Sequence, residues 1–166
     1  ELLVSTVLIG IVMVGGASFS VTIKNFQESS NQSGITMLKM TAAMRYITRD
    51  ASFAIGEQGN RGVLWDDVGA SRGICFRHDA TPATPGDYTD DTWVCYVHDN
   101  TNVLLRCDGL ASSAKICPGF FIKMLTLNQS DFFQVVDDAD GRLDYIEVFL
   151  NTDSHNLTTR VSFLSH

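Results

Sequence analysis

Residues 1–23 read ELLVSTVLIGIVMVGGASFSVTI, and this stretch decides the fold predicted for the chain. A single carboxylate, Glu1, comes first, and the 22 residues from Leu2 to Ile23 carry no charge. At about 1.5 Å rise per residue, about 20 apolar residues in a helix match the roughly 30 Å hydrocarbon core of a bilayer. The stretch therefore predicts an apolar helix long enough to span a membrane.

The helical pattern continues past Lys24 into polar sequence. One predicted face has apolar or small residues at steps of three and four: Met37, Met40, Thr41, Met44, Ile47, Ala51, Ala54 and Ile55. The opposite face is predicted to hold Lys39, Arg45, Arg49 and Asp50. No proline precedes Pro82, and Gly56 with Gly59 behind it is typical of a helix stop. We therefore predict a single helix over residues 1–56, roughly 80 Å long, whose first half is apolar and whose second half is amphipathic.

The start of the chain differs from a secretory signal peptide. Such a peptide has basic residues ahead of a shorter apolar core and a cleavage site of small residues, whereas an acid comes first here and helical sequence follows. A carboxylate at the end of an apolar helix is costly to bury without a positive partner. Glu1 is therefore predicted to lie at an interface or to pair with a cation.

From about Glu57 onward the chain changes to short runs of β-branched and aromatic residues separated by glycine, asparagine and aspartate. We predict strands near Gly62–Trp65, Gly73–His78, Thr92–His98, Val103–Cys107, Phe120–Leu127, Phe132–Val136, Asp144–Asn151 and Thr158–Leu164. Asp99–Asn102 is the clearest turn, and Asp79–Asp91 is expected to be an exposed loop. The predicted class is α+β: a long N-terminal α-helix, residues 1–56, followed by an antiparallel β-sheet head, residues 57–166.

All four cysteines, Cys75, Cys95, Cys107 and Cys117, fall in the head. Because the membrane interpretation places the head outside the cytoplasm, an even count predicts two disulfides. With a turn centred on Asn100–Thr101, Cys95 and Cys107 would point to opposite faces of their hairpin. We therefore predict Cys75–Cys95 and Cys107–Cys117 bonds. Free core thiols and a metal site are the alternatives, although the sequence has no CxxC or Cys/His ligand spacing.

Two kinds of surface motif remain. Asp138, Asp140 and Asp144 surround a glycine as at the start of a calcium loop, but Phe149 stands where the closing glutamate is expected. Calcium binding and a plain acidic β-turn are both open interpretations. Three sequons, at Asn31, Asn128 and Asn156, are candidate glycan acceptors in an exported protein.

The sequence lacks the signatures of catalysis. Its four histidines occur without an HExxH, GxSxG or Cys/His pattern, and it contains no glycine-rich phosphate motif and no CxxCH haem attachment. A net charge of −7 argues against general nucleic-acid binding. We therefore expect no enzyme and no cofactor, with calcium as the one candidate ion.

Residues ELLVSTVLIGIVMVGG (1–16) resemble the amino-terminal helix of type IV pilins and type II secretion pseudopilins, in which a glutamate precedes a long apolar run. MRYITRDASFA (44–54), WVCYVHDNTNVLLRC (93–107) and NLTTRVSFLSH (156–166) are similar to segments of a subset that includes W-type minor pilins and J-type pseudopilins. The resemblance implies a pilin fold. It also implies that Glu1 neutralises the amino terminus of a neighbouring subunit and sets its register during assembly.

The function that the resemblance implies is a structural subunit of a type IV pilus-like extracellular filament, assembled through the N-terminal helix. Expected partners are copies of the chain or related pilins, an inner-membrane assembly platform, and the membrane itself before assembly. The expected location is the inner membrane before assembly and the cell surface afterwards.

Two alternatives to the main filament subunit are open. The first is a minor pilin or pseudopilin that primes or caps a pilus or a type II secretion pseudopilus. The second is a single-pass, membrane-anchored binding module. The helical pattern that crosses Lys24 argues against the module, because an ordinary anchor more often has a polar linker and flanking charges.

Overall fold

A computed structural model of the chain describes residues 2–56, 61–66, 72–80, 87–99, 101–110, 121–129, 131–137 and 143–162. Side chains are described from Met13 onward, except those of Asp66, Leu110, Asp137, Leu143 and Asp144. Helix α1 (Leu2–Ser52) comes first. The described strands are β1 (Val63–Asp66), β2 (Arg72–His78), β3 (Thr92–His98), β4 (Val103–Leu110), β5 (Ile122–Thr126), β6 (Phe133–Asp137), β7 (Leu143–Asn151) and β8 (Asn156–Ser162). One long N-terminal helix followed by antiparallel sheets confirms the predicted α+β class.

The end of α1 lies four residues before the predicted stop at Gly56. After it, the backbone at Ile55 crosses closely over Gly62, where a Cβ would overlap the carbonyl of Ile55. Hydrogen bonds hold this crossing: Ile55 N–H donates to Arg77 O at 2.9 Å, and Arg77 N–H donates to Gly62 O at 2.8 Å. Glycine at position 62 therefore lets the chain leave the helix and join the sheet in a few residues.

The strands form two antiparallel sheets. One has five strands in the order β1-β2-β3-β4-β5, and the other has three in the order β6-β7-β8. Neighbours in each sheet are also neighbours in sequence, which is the arrangement that short turns favour. All eight predicted strands are present, with ends that differ from the predicted ends by at most three residues.

One hydrophobic core joins α1 to both sheets. The helix contributes Met40, Ala43, Met44, Ile47 and Ala51. The sheets contribute buried side chains that include Ile74, Phe76, Val94, Tyr96 and Leu104 from the first and Phe133, Ile146, Val148, Leu150 and Val161 from the second. Burial of this apolar area is the main stabilising contribution to such a domain.

The helix face predicted from the sequence was wrong at three positions. Met37 and Thr41 are exposed, whereas Asp50 is buried. At 3.6 residues per turn the buried stripe centres on Met40, Met44, Ile47 and Ala51, so Met37 and Thr41 lie at its margins. Asp50 lies within that stripe because its carboxylate has partners on the sheet, described below.

The register of the β3–β4 hairpin also corrects the sequence analysis. Cys95 pairs with Cys107 and Tyr96 pairs with Arg106, so Cys95 and Cys107 point to the same face. The hairpin closes between Asp99 and Val103, whose N–H···O bond is 3.0 Å, and Asn102 has a φ of +62°. A three-residue loop that ends in a left-handed residue shifts the register by one relative to the predicted two-residue turn.

The chain divides into two units, residues 1–36 and residues 37–166. In the first unit, every described side chain from Met13 to Gln32 is exposed. Within the described residues, no helix combines the length and apolar character needed to cross a bilayer. The predicted span includes residues 2–12, whose side chains lie outside this description.

Candidate functional site

The first candidate site is the exposed apolar part of α1. Phe19 and Phe26 are 67% and 73% exposed, and they lie seven residues apart with Ile23 between them. Spacings of four and seven place these three side chains on one side of the helix. Met13, Val14, Val21 and Ile35 are also exposed large apolar residues of this segment. A run of exposed apolar side chains of this kind is typical of a surface that binds another molecule.

The three hydroxyl side chains between Met13 and Phe26 are already hydrogen-bonded to the helix. The hydroxyls of Ser18, Ser20 and Thr22 each donate to the carbonyl four residues earlier, at 2.9 Å. A buried hydroxyl without a partner costs free energy, and these three have partners within the helix. The segment can therefore be transferred into an apolar environment without losing those hydrogen bonds.

The second candidate is a buried polar cluster where α1 meets the five-stranded sheet. Asp50 on α1 is 1% exposed, and its Oδ2 accepts hydrogen bonds from Tyr96 Oη at 2.7 Å and from Arg106 Nη2 at 2.8 Å. Arg106 Nε also donates to Oδ2, at 3.0 Å, and Arg49 donates to Oδ1 through Nη2 at 2.9 Å. The β3–β4 register places Tyr96 directly opposite Arg106, so both reach one carboxylate. We call Asp50, Tyr96 and Arg106 the Asp50 cluster.

The charges of the Asp50 cluster are fixed by its hydrogen bonds. Burial opposes ionisation of Asp50, but hydrogen bonds from Tyr96, Arg49 and Arg106 outweigh it and hold the pKa of the carboxyl below its ordinary value. Burial and the bond to Asp50 raise the pKa of the Tyr96 hydroxyl. Burial works against the charge of Arg106, but its hydrogen bonds to Asp50 and Asp108 leave its pKa raised. All three groups therefore keep one protonation state near neutral pH, which suits a structural ion pair better than proton transfer.

A cleft of about 470 Å³ opens beside the Asp50 cluster. Its walls carry both charge signs as well as apolar surface, from Arg49, Asp50, Phe53, Ile55, His78, Asp79, Arg106 and Asp108. His78 Nε2 lies 2.8 Å from the Asp50 backbone oxygen, so the histidine also connects β2 to the end of α1. Among the described residues, no group of three His, Cys, Asp or Glu side chains is arranged to hold a metal ion.

Three cysteines lie in a row on the opposite face of the sheet. Cys75 pairs with Cys95 across β2 and β3, and Cys95 pairs with Cys107 across β3 and β4. The predicted Cys75–Cys95 disulfide is present. Cys107 is also disulfide-bonded, and its predicted partner, Cys117, lies outside the described residues. Together with Trp93 and Val97, the three form a small buried cluster separate from the main core.

No family model, no curated protein and no solved structure matches the chain. The functional interpretation therefore depends on the residues themselves and on the geometry described above.

The three predicted glycan acceptors are all exposed in the structure. Asn31 lies exposed on α1, Asn128 is exposed before β6, and Asn156 is exposed at the start of β8. Asn128 Nδ2 donates to Asp153 Oδ1 at 2.6 Å. Glu1, Asp138 and Asp140 lie outside the described residues, as does the side chain of Asp144. The assembly role of Glu1 and the calcium interpretation therefore stay predictions.

Sequence reasoning missed the Asp50 cluster. Asp50 lies three residues after Ile47 and one residue before Ala51, a spacing that belongs to the buried face. A carboxylate at a core position is rarely buried unless it is paired. That position was the available signal, because a carboxylate buried there needs a cationic partner.

Proposed function

We propose that the chain is a structural subunit of a pilus-like extracellular filament that assembles through the apolar part of α1. The observation that carries the proposal is the exposed apolar surface from Met13 to Phe26, in which the hydroxyls of Ser18, Ser20 and Thr22 are hydrogen-bonded to the helix itself. When a second apolar surface covers this one, the three hydroxyls keep their hydrogen bonds, and the exposed apolar side chains are removed from water.

The expected gain is large for the size of the segment. The gain is relative to water: burial of one large apolar side chain contributes about 2 kcal/mol, so Phe19, Ile23 and Phe26 favour an apolar environment, first lipid and then neighbouring helices, by several kcal/mol. A contact that joins different surfaces of identical subunits, and does not close on itself, extends into a fibre. Copies of the chain or related subunits are therefore the proposed partners.

The Asp50 cluster supports the same proposal. It joins α1 to β3 and β4 by one buried carboxylate, so the end of the helix is held to the five-stranded sheet by charge-assisted hydrogen bonds as well as by the core. When a helix bonded to a sheet in this way packs into a filament, the sheet is incorporated with it. The proposal includes residence in the inner membrane before assembly, contact with an assembly platform there, and exposure at the cell surface afterwards.

The test is electron microscopy of sheared surface material from cells that produce the chain, combined with mass spectrometry of the purified fibres. Phe19→Asp places a charge in the proposed packing surface, and Glu1→Ala removes the predicted pairing carboxylate. Phe121→Asp is the matched control, because Phe121 is an exposed aromatic residue of the head. We expect wild type and the control to form fibres that consist mainly of this chain, and Phe19→Asp and Glu1→Ala to lose them.

Other results would redirect the proposal. Fibres that contain only traces of the chain would favour a minor pilin or a pseudopilin that primes or caps a filament. Absence of fibres in wild type, with the chain retained in membranes, would favour the anchored binding module. Fibres that persist in Phe19→Asp would contradict packing through α1.

A further inference from the structure

The charges of this chain are distributed unevenly along the sequence. Residues 57–166 contain eight Lys and Arg against sixteen Asp and Glu, a net charge of −8. Residues 29–55 contain Lys39, Arg45 and Arg49, and their one acidic residue is Asp50. Because Asp50 is buried in its cluster, the exposed surface of this helical segment carries positive charge only.

The cations lie beside large exposed side chains. Leu38 is 72% exposed and Phe53 is 64% exposed. The steps from Leu38 to Arg45, Arg49 and Phe53 are seven, four and four residues, which keeps the four on one side of α1 and of the turn that follows it, where Phe53 N–H donates to Arg49 O. With Lys39 and Tyr46 they form a surface that we call the outer helix face.

The composition of the outer helix face is that of a binding surface. Arginine and aromatic residues are enriched at the centres of protein interfaces. The Tyr46 ring contacts two guanidinium groups, with Arg49 at 5.3 Å and Arg106 at 5.5 Å from its centroid. Lys39 and Arg45 are exposed, and neither has an ion-pair partner among the described residues.

The head offers carboxylates that match these cations. Asp87 is exposed and accepts hydrogen bonds from Thr89 N–H at 3.1 Å and from the Thr89 hydroxyl at 2.6 Å. Asp153 is exposed and accepts a hydrogen bond from Asn128. Neither contacts a cation in the described structure. By contrast, the exposed carboxylates of Asp108 and Asp131 are each paired with an arginine. Hydrogen bonds therefore hold the carboxylates of Asp87 and Asp153 at the surface, where a cation of another molecule can reach them.

We infer that the outer helix face binds the acidic head of a second copy of this chain, with Lys39 and Arg45 opposite carboxylates such as Asp87 or Asp153. This inference rests on the proposed filament function and names one of its subunit contacts. A second copy fits better than an unrelated partner, because the chain itself carries both complementary surfaces. The contact joins two different surfaces, so each added subunit leaves one of each exposed for the next.

The first experiment uses charge reversal in the full-length chain. Arg45→Glu reverses one cation of the outer helix face, and Lys123→Glu on β5 is the matched control, with the same change in net charge at an exposed position of the head. We expect Arg45→Glu to reduce fibre yield about tenfold or more, and the control to leave it within about twofold of wild type. Equal effects of the two substitutions would overturn the inference.

The second experiment restores the complementarity. Asp87→Lys and Asp153→Lys are each added to Arg45→Glu, which exchanges the signs across the proposed contact. Recovery of fibres with either addition supports the contact, and failure of both overturns it. Thermal unfolding of each variant checks that the fold is retained. For Arg45→Glu the unfolding temperature is expected to be unchanged, because Arg45 lies on the exposed side of α1 and makes no hydrogen bond or ion pair with the described residues.

A third measurement separates this inference from the filament proposal. Self-association of the detergent-solubilised full-length chain is measured by sedimentation at low and at high salt. Association that salt weakens and Arg45→Glu abolishes supports the contact even where no fibres form, since exposed charge pairs are screened by salt. Self-association that Arg45→Glu leaves unchanged, with loss of binding to phosphatidylglycerol vesicles, would assign the outer helix face to an anionic membrane and overturn the inference.

Discussion

At the scale of single residues, the buried carboxylate of Asp50 has the clearest energetic consequence. Removal of one partner from a buried ion pair leaves the other charge without compensation, which costs about 3 kcal/mol or more. We expect Asp50→Asn to lower the free energy of unfolding by about that amount, because Arg106 is buried and would keep its charge. Tyr96→Phe removes the hydrogen bond that the hydroxyl donates to Asp50 and the one that it accepts from Arg106 Nε, and should cost about 2 kcal/mol. Urea denaturation of the three proteins measures both losses.

Asp108→Asn is the control for that comparison. Asp108 also accepts a hydrogen bond from Arg106, at 2.8 Å, but its side chain is 61% exposed. Exposed ion pairs contribute about 0–1 kcal/mol, so this variant should change the unfolding free energy by less than about 1 kcal/mol. Equal losses in Asp50→Asn and Asp108→Asn would show that the buried carboxylate has no special role.

His98 gives a pH dependence with a defined sign. It is buried at the end of β3, and its Nε2 has no hydrogen-bond partner among the described residues. Burial lowers the pKa of the imidazole, Asp99 and Asp131 partly oppose this, and Arg72 adds to it. The unfolded chain therefore binds a proton at a higher pH than the folded chain does. The contribution of His98 to the free energy of unfolding is therefore complete above about pH 6.5, where the imidazole is neutral in both states. It is lost as the pH falls below that value, because the unfolded chain is protonated first.

We therefore expect the free energy of unfolding to decrease between about pH 7.5 and about pH 5.5, and the decrease to be smaller in His98→Gln. Urea denaturation at the two pH values, on wild type and variant, measures the difference. Burial raises the pKa of Asp91, so that group acts in the opposite direction and is common to both proteins. The same pH dependence in wild type and His98→Gln would contradict the assignment to His98.

Single residues also show what sequence reasoning reaches and what it does not. The Cys75–Cys95 disulfide was predicted correctly, because it needs only two neighbouring strands with cysteines at matching positions. The Asp50 cluster was not predicted. Its members come from positions 50, 96 and 106, and a charged residue is by default assigned to the exposed side of a helix.

At the scale of elements, the local patterns predicted the helix and all eight strands, while the register of one hairpin was wrong. Strand positions follow from alternation and turn residues within a few positions. The register of the hairpin depends on the conformation of one loop residue, Asn102, which lies in the left-handed region. Asparagine is common both in two-residue turns and at the left-handed position of a three-residue loop, so the residue type alone does not decide between them. The single-residue shift placed Cys107 on the face of Cys95.

The corrected register gives a prediction about disulfide exchange. Cys75→Ser removes one partner of the Cys75–Cys95 bond and leaves a thiol at Cys95, opposite Cys107. We expect the Cys95 thiolate to attack the Cys107 sulfur, which forms a Cys95–Cys107 bond and releases the former partner of Cys107 as a thiolate. Because Cys95 is fully buried, the exchange requires transient opening of the sheet.

Alkylation followed by peptide mass spectrometry identifies the free thiol in Cys75→Ser. One thiol per chain is expected in either case, so the position is the informative result. An alkylated Cys95 with Cys107 in its original bond would show that the neighbouring strands do not bring the two sulfurs close enough to react.

At the scale of the whole molecule, the core explains which part of the chain folds as a unit. The described core residues of α1 begin at Met40, and every described side chain from Met13 to Gln32 is exposed. The first unit, residues 1–36, therefore contributes no described side chain to the core that stabilises the second. The apolar segment that predicts assembly and the buried face that stabilises the sheets occupy successive parts of one helix.

A chain consisting of residues 37–166 is accordingly expected to fold without the first unit. Its thermal midpoint should lie within a few degrees of that of the full-length chain, roughly the shift produced by 1 kcal/mol or less in a domain of this size. At high salt, which screens the inferred contact between the outer helix face and the head, it should also sediment as a monomer where the full-length chain still associates, because the apolar surface around Phe19 and Phe26 is absent. Calorimetry and sedimentation velocity measure the two properties separately. Loss of cooperative unfolding would show that residues 1–36 stabilise the sheets, and persistent association would move the main assembly surface from the apolar segment to residues 37–166.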